Sequence, residues 1–226
     1  MSTGPMKSVF AHVLALLVVA GLSGAVGPDA QAQQNPPEGE GWVSLFDGES
    51  LDGWRASENE ETFSVDDGRI VADGPRSHLF YAGSVADHSF DDFELRVDVM
   101  TEPGANSGLY FHTQYQEEGW PSQGYEAQIN NSYESDPRRT GSLYAVEDVK
   151  ASPVDDNEWF TMAVRVEGDR IRITVDGETM VDYTEPEDPP RDGMEGRVLS
   201  NGTIALQGHD PESTVYFKNI YVRPLE

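Results

Sequence analysis

The fold is decided by the stretch FTMAVRVEGDRIRITVDGETMVDY, residues 160–183. Within residues 160–167 and 171–175 every second residue is apolar, which is the period of a strand with one buried face. Gly168-Asp169 and Asp176-Gly177 separate these runs, and such pairs are typical of tight hairpin turns. The stretch therefore predicts a three-stranded antiparallel meander that lays one face against a core.

The same kind of pattern extends outward from the meander over the rest of the chain. Residues 93–100 alternate in the same way, and Asp66-Asp67-Gly68 predicts a hairpin within residues 63–72. Further short strands are expected at residues 42–46, 79–82, 109–114, 125–130, 203–207 and 214–223. Many short strands joined by long loops predict an all-β fold, a jelly-roll β-sandwich of two antiparallel sheets, formed by residues 41–226 as one domain.

The first residues have the pattern of a secretory signal peptide. Lys7 provides a positive start, residues 9–26 are almost continuously apolar, and Ala30-Gln31-Ala32 has the pattern of a cleavage site. Residues 1–32 are therefore predicted to be a signal peptide and residues 33–40 a flexible leader, which gives a secreted or periplasmic protein. An uncleaved membrane anchor is the alternative, and no later segment approaches the length of a membrane span.

The amino-acid composition limits the classes of ligand that the protein is expected to bind. The formal net charge is −26, from 41 acidic against 15 basic residues, which argues against nucleic acid because phosphate binding needs clustered Lys and Arg. The acidity is explained either by a solvated surface suited to salt or by carboxylate clusters that hold calcium or a similar divalent ion. The chain has no Cys, no paired His spacing, no P-loop and no Gly-x-Ser-x-Gly nucleophile motif.

Polar side chains occupy what should be strand interiors between residues 106 and 144. Glu126 and Gln128 lie two apart on a predicted strand, so both face the same side of the sheet. Polar groups on a covered face cost free energy unless they are paired or meet a polar ligand. We therefore expect a sugar-sized site lined by Asn106, His112, Glu126, Gln128 and Tyr144, with His209 at a strand end as a further candidate.

The order and spacing of several short motifs resemble the secreted bacterial 3-keto-disaccharide hydrolase family. The motifs are Leu45-Phe46-Asp47-Gly48, Asn106-Ser107-Gly108-Leu109-Tyr110-Phe111, Gly124-Tyr125-Glu126-x-Gln128-Ile129, Thr140-Gly141-Ser142-Leu143-Tyr144 and Ile204-x-Leu206-Gln207-x-His209. His112 and Lys218 stand where members of the family often carry Arg. The resemblance covers nearly all of residues 41–226 and implies a concanavalin-like sandwich that acts on oxidised glycosides outside the cytoplasm.

The implied chemistry is cleavage of a 3-keto-glycoside, in which the ketone acidifies the C2 proton and the C1 substituent leaves by elimination before water adds. On this hypothesis Glu126 or His209 is the base, and the other of the pair, or His112, donates a proton or stabilises the enolate. The predicted sugar contacts are Asn106, Gln128, Tyr144, Gln207 and Trp120. A divalent ion could stabilise the enolate instead. The rival functions are a non-catalytic carbohydrate-binding module and an ordinary two-carboxylate glycosidase.

Overall fold

The computed structural model describes residues 1, 2, 4, 36–191 and 193–225. The predicted signal peptide and the first half of the leader fall almost wholly outside these residues. The described part of the chain folds as two antiparallel β-sheets packed face to face, so the predicted concanavalin-like sandwich is confirmed. No helix among the described residues is long and apolar enough to cross a membrane.

The strands follow the predicted runs closely. The first six are β1 (Val43–Ser44), β2 (Trp54–Ala56), β3 (Phe63–Asp66), β4 (Arg69–Ala72), β5 (Ser77–Tyr81) and β6 (Phe93–Thr101). The remaining seven are β7 (Ser107–Thr113), β8 (Tyr125–Ile129), β9 (Phe160–Glu167), β10 (Arg170–Val175), β11 (Glu178–Thr184), β12 (Thr203–Gly208) and β13 (Val215–Pro224). Two short 3-10 helices, Glu60–Thr62 and Val85–His88, interrupt the loops.

The two sheets differ in size and in strand order. The larger runs β11-β10-β9-β6-β13-β4-β3, with β1 also paired to β13, and the smaller runs β2-β5-β12-β7-β8. The predicted meander is β9-β10-β11, with Ile171 opposite Val166 and Ile173 opposite Val164. Its apolar residues lie in the core between the sheets, so the interpretation of the alternating pattern is confirmed.

The two sheets also differ in what covers their outer faces. Strands of the larger sheet alternate between buried and partly exposed residues, as β6 and β9 do along their lengths. Every residue of β5, β7, β8 and β12 is buried, so loops cover the outer face of the smaller sheet. A covered sheet face that carries polar side chains is where a binding site is expected.

One strand was not expected from the sequence. Residues 47–54 have turn chemistry, yet β2 begins at Trp54 and pairs with β5. Trp54 Nε1 donates a hydrogen bond of 2.8 Å to the Leu45 carbonyl, and its ring meets Tyr81 edge-on. Trp54 is therefore a core residue of the sandwich.

Candidate active site

A cleft of about 940 Å³ lies on the covered outer face of the smaller sheet. Strands β7, β8 and β12 form its floor. Its walls come from the loops around residues 120–123, 136–144 and 193–200. Two walls meet where the Gly124 N–H donates to the Gly196 carbonyl at 2.9 Å. The size and the mixed polar and apolar lining suit a small polar ligand.

Glu126 lies at the centre of the floor. It pairs across the β7–β8 ladder with Tyr110, whose hydroxyl donates to Glu126 Oε2 at 2.8 Å. Gln207 Nε2 donates to Glu126 Oε1 at 3.3 Å and to Tyr110 Oη at 3.1 Å. Burial raises the pKa of Glu126 from its ordinary 4.5 to about 7, although the hydrogen bonds from Tyr110 and Gln207 act to lower it. The carboxyl group is therefore poised to exchange a proton near neutral pH.

Gly108 makes room for this carboxylate. It lies on β7 opposite Gln128, and a Cβ atom at this position would come within 2.2 Å of Glu126 Oε1. Any larger residue would push the carboxylate out of its hydrogen bonds with Tyr110 and Gln207. Gly108 is therefore a point of close approach between β7 and the Glu126 side chain.

Two amide oxygens in the cleft have no hydrogen-bond partner within residues 36–191 and 193–225. Gln128 Nε2 donates to Asn106 Oδ1 at 2.8 Å, which fixes the orientation of both amides and leaves Gln128 Oε1 unpaired. Gln207 Oε1 is unpaired as well, and both oxygens are buried. A buried acceptor without a donor is costly, so a ligand that brings hydroxyl groups to these two oxygens would gain binding free energy.

His209 forms an ionisable pair at the mouth of the cleft. It follows β12 directly, and its Nδ1 lies 2.5 Å from Asp210 Oδ2. Burial alone would raise the pKa of Asp210, but the hydrogen bond with His209 holds that pKa below its ordinary value. The contact with the Asp210 carboxylate occupies Nδ1 of the imidazole, so Nε2 is the ring nitrogen left to contact a ligand.

Trp120 supplies an aromatic surface next to this pair. The indole is 44% exposed and its ring centre lies 5.2 Å from that of His209. Its loop is anchored at the backbone by Gln116, which contacts the carbonyls of Glu118 and Trp120, and by Glu58, which accepts from the Gly119 N–H. An exposed indole held in this way suits stacking against the face of a sugar ring.

The opposite wall carries a charged cluster. Arg138 contacts the carboxylates of Asp136 and Asp148, at 3.2 and 3.3 Å, and stacks over Tyr144. The Asn130 side chain binds the backbone of residues 131–139 at Tyr133, Asp136 and Arg138. The wall is therefore tied to the end of β8 rather than loosely attached.

His112 does not lie in the cleft, so the prediction that it lines the sugar-sized site is wrong. Its φ of 53° lies in the left-handed region, which breaks the alternation of β7 and turns the ring toward Phe93 and Phe111. Both ring nitrogens bind backbone, since Nδ1 accepts from the Ser200 N–H at 3.2 Å and Nε2 lies 2.8 Å from the Asp91 carbonyl. The imidazole ties β7 to the 200-region loop.

The described side chains around Glu126 are not grouped as metal ligands usually are. Among residues 36–191 and 193–225, no three His, Asp or Glu side chains come together in a way that could hold an ion. The donors that face the Glu126 oxygens are the Tyr110 hydroxyl and the Gln207 amide, which compete with a cation for the same lone pairs. The donor set at Glu126 thus suits a proton rather than a divalent ion.

The structure brings together seven of the eight predicted site residues. The cleft is lined by Asn106, Trp120, Glu126, Gln128, Tyr144, Gln207 and His209. Sequence reasoning missed Tyr110, Asp136 and Asp210 as parts of the site. In the alternating pattern of β7, Tyr110 and Leu109 face opposite sides of the sheet. This pattern could have placed Tyr110 on the same face as Glu126. The place of Asp136 depends on how its loop folds back.

These features define a carbohydrate-processing β-sandwich. The model of the family described as 3-keto-alpha-glucoside-1,2-lyase-like domain matches residues 41–223, and the chain belongs to this family. A 3-keto-disaccharide hydrolase from Bacteroides thetaiotaomicron is 28% identical over 88 residues, which are 36% of this chain and only 30% of that relative. The family that the sequence motifs suggested is confirmed.

Two solved structures show the same fold. A proposed glycosyl hydrolase from Parabacteroides distasonis superposes with a TM-score of 0.71 at 23% identity, covering 83% of this chain and 95% of its own. The exoplasmic domain of VIP36, bound to Ca²⁺ and mannose, gives a TM-score of 0.52 at 12% identity, covering 76% of this chain and 83% of its own. At these identities the likeness concerns the fold alone.

Proposed function

We propose that this protein cleaves 3-keto-glycosides by removing the proton at C2 and expelling the substituent at C1. The observation that carries the proposal is the buried Glu126 carboxyl group, whose pKa of about 7 lets it act as a general base near neutral pH. The family to which the chain belongs is named for such a 1,2-elimination, which supports the same chemistry.

The first step is a proton transfer. The ionised Glu126 carboxylate takes the C2 proton, and the electrons of the C2–H bond form an enolate with the C3 carbonyl. The enolate oxygen needs a hydrogen-bond donor, and the Asn106 amide group stands on the same floor as Glu126. Tyr110 keeps its proton, since burial and the neighbouring carboxylate raise its pKa well above the ordinary value.

In the second step the enolate electrons form a C1–C2 double bond as the C1–O bond breaks. Protonated His209, held by Asp210, gives its Nε2 proton to the leaving oxygen. The product is an unsaturated 3-keto sugar, and addition of water at C1 completes a net hydrolysis. We assign the acid role to His209 and not to His112 because His112 uses both nitrogens on backbone groups outside the cleft.

A substitution of Glu126, the proposed general base, tests the proposed elimination reaction. Glu126→Gln keeps the shape of the side chain and should lower kcat for a 3-keto-glucoside by at least about 100-fold, which is the size typical of general-base catalysis. The measurement is release of the aglycone, followed by NMR, from methyl 3-keto-α-glucoside and from unoxidised methyl α-glucoside, each with and without a chelator. Turnover by Glu126→Gln at the wild-type rate would remove Glu126 from the mechanism.

A carbohydrate-binding module is the second candidate, and the exposed Trp120 indole favours it. Lectin-type sites rely on such aromatic surfaces and on amides, and they do not need a carboxyl group that titrates. Binding of the unoxidised glucoside with an affinity that Glu126→Gln leaves unchanged, together with no turnover of the 3-keto form, would favour this alternative.

We further propose that the protein works outside the cytoplasm, as the signal-like residues 1–32 predict. Mass spectrometry of the protein from the exporting cell should give a mature chain that begins near Gln33. An intact N-terminus on the mature protein would contradict cleavage.

A further inference from the structure

His78 is a buried histidine without a hydrogen-bond partner. It lies on β5 with an exposed fraction of 0%, and neither Nδ1 nor Nε2 has a partner within the described part of the protein. A neutral imidazole carries one donor and one acceptor, and buried polar groups are satisfied in the great majority of cases. An imidazole with neither group satisfied is therefore expected to form its hydrogen bonds with a ligand.

The position of His78 points to the cleft as the source of that partner. Gln207 lies directly opposite His78 in the β5–β12 ladder, so the two side chains stand on the same face of the sheet. The His78 ring also meets the Tyr110 ring edge-on, with 5.3 Å between the ring centres. His78 thus extends the polar floor that Glu126, Tyr110 and Gln207 form.

Trp120 lines the cleft and packs against His78. Its indole meets the imidazole edge-on, with ring centres 5.6 Å apart, and the Arg76 guanidinium lies 5.2 Å from the indole centre. The backbone of this loop is held by Gln116 and Glu58, while the indole is 44% exposed. A rotation of the Trp120 side chain can therefore uncover His78 without unfolding the loop.

We propose that His78 is a substrate-binding residue in a closed subsite that Trp120 covers. When a sugar enters the cleft, the indole turns aside, and the imidazole donates to one ring hydroxyl and accepts from a neighbouring one. The unpaired Oε1 of Gln207, across the ladder, is available to the same sugar. This inference rests on the proposed function only in taking a sugar as the ligand.

The chemistry of the subsite favours an uncharged ligand. Burial lowers the pKa of His78 to about 3, so the imidazole stays neutral at any pH at which the protein would work. The charges next to it are already paired, because Arg76 binds Glu58 in a two-point ion pair at 2.8 and 3.0 Å. Ring hydroxyls, which both donate and accept, match a neutral imidazole better than a carboxylate or an ammonium group.

The test compares His78→Phe with wild type and with the control His88→Phe. His88 is an exposed histidine outside the cleft, and its Nδ1 lies 3.3 Å from the Gly83 carbonyl. The probes are methyl α-glucoside for the Kd and methyl 3-keto-α-glucoside for kcat and KM. We expect His78→Phe to raise Kd and KM at least tenfold, to change kcat less than threefold and to leave Tm equal or higher. His88→Phe should match wild type in Kd, KM and kcat.

Each outcome separates this inference from the proposed reaction. Wild type that binds methyl α-glucoside but does not convert the 3-keto form would end the proposed reaction, and the Kd of His78→Phe would still decide the role of His78. Equal Kd and KM values for wild type and His78→Phe would overturn the inference. A large drop in Tm of His78→Phe would also overturn it, because it would mean that the imidazole is paired in the free protein. Wild type that binds neither sugar would overturn both.

Discussion

Replacing Glu126 by Gln should make the protein more stable at alkaline pH while it abolishes turnover. In the folded protein the Glu126 carboxyl group is buried next to Tyr110 and Gln207, and burial raises its pKa to about 7 from an ordinary 4.5. The folded state therefore holds this proton more tightly than the unfolded chain does. Gln carries no proton to lose, and it offers the same shape as the protonated acid.

The size of the effect follows from the two pKa values. Below pH 4.5 Glu126 is protonated in both states and adds no pH dependence to stability. As pH rises from there to about 7, the unfolded chain ionises first, and the wild-type free energy of unfolding falls. At about 1.36 kcal/mol per pH unit the total loss comes to about 3 kcal/mol, a large share of the roughly 5–15 kcal/mol that stabilises a typical domain.

Urea unfolding of wild type and Glu126→Gln at a series of pH values from 4 to about 9 measures this loss. The difference between the two free energies of unfolding should stay constant below pH 4.5, shift in favour of the variant up to about pH 7, and level off above it. The other acidic residues titrate equally in both proteins and cancel in the difference. A difference that does not change with pH would refute the raised pKa, and with it the physical basis for Glu126 as a base near neutrality.

Two further substitutions distinguish a residue that shapes the floor of the cleft from a residue that stabilises the fold outside it. Gly108→Ala should lower kcat/KM at least tenfold, because a Cβ atom 2.2 Å from Glu126 Oε1 must displace the carboxylate, and activity equal to wild type would contradict the close approach. His112→Gln should reduce the free energy of unfolding by about 1–3 kcal/mol through its lost backbone partners, yet change kcat/KM less than threefold in the folded protein. A loss of activity without a loss of stability would contradict this structural role and indicate that His112 acts in the active site.

The strands could be predicted from the sequence because burial imposes a period of two on them. The meander β9–β11 and the hairpin β3–β4 appear where the pattern placed them, since each has one face in the core and one toward solvent. The three-residue strand β2 was missed because it is too short to show a period and follows turn-forming residues. Its pairing with β5 depends on contacts between segments about 25 residues apart, which no local pattern records.

The candidate site could be predicted only as far as the alternation of its strands holds. Glu126 and Gln128 occupy one face of β8 as their spacing requires, and both line the cleft. His112 does not line the cleft, because its positive φ turns the ring away from the face that the alternation predicts. A positive φ at a single His cannot be predicted from the sequence. His78 could not be assigned to the site at all, since only the pairing of β5 with β12 places it beside Gln207.

Four buried polar atoms on one face of the smaller sheet are an argument for binding. Within the part of the chain that the structure describes, Gln128 Oε1, Gln207 Oε1 and both nitrogens of His78 have no hydrogen-bond partner. Glu126 on that face is also costly to ionise. Each of these groups lowers stability in the free protein, and an apolar replacement of similar shape would relieve the cost. Unpaired amide and imidazole groups beside a cleft are expected where a ligand, rather than the fold, completes the hydrogen bonds.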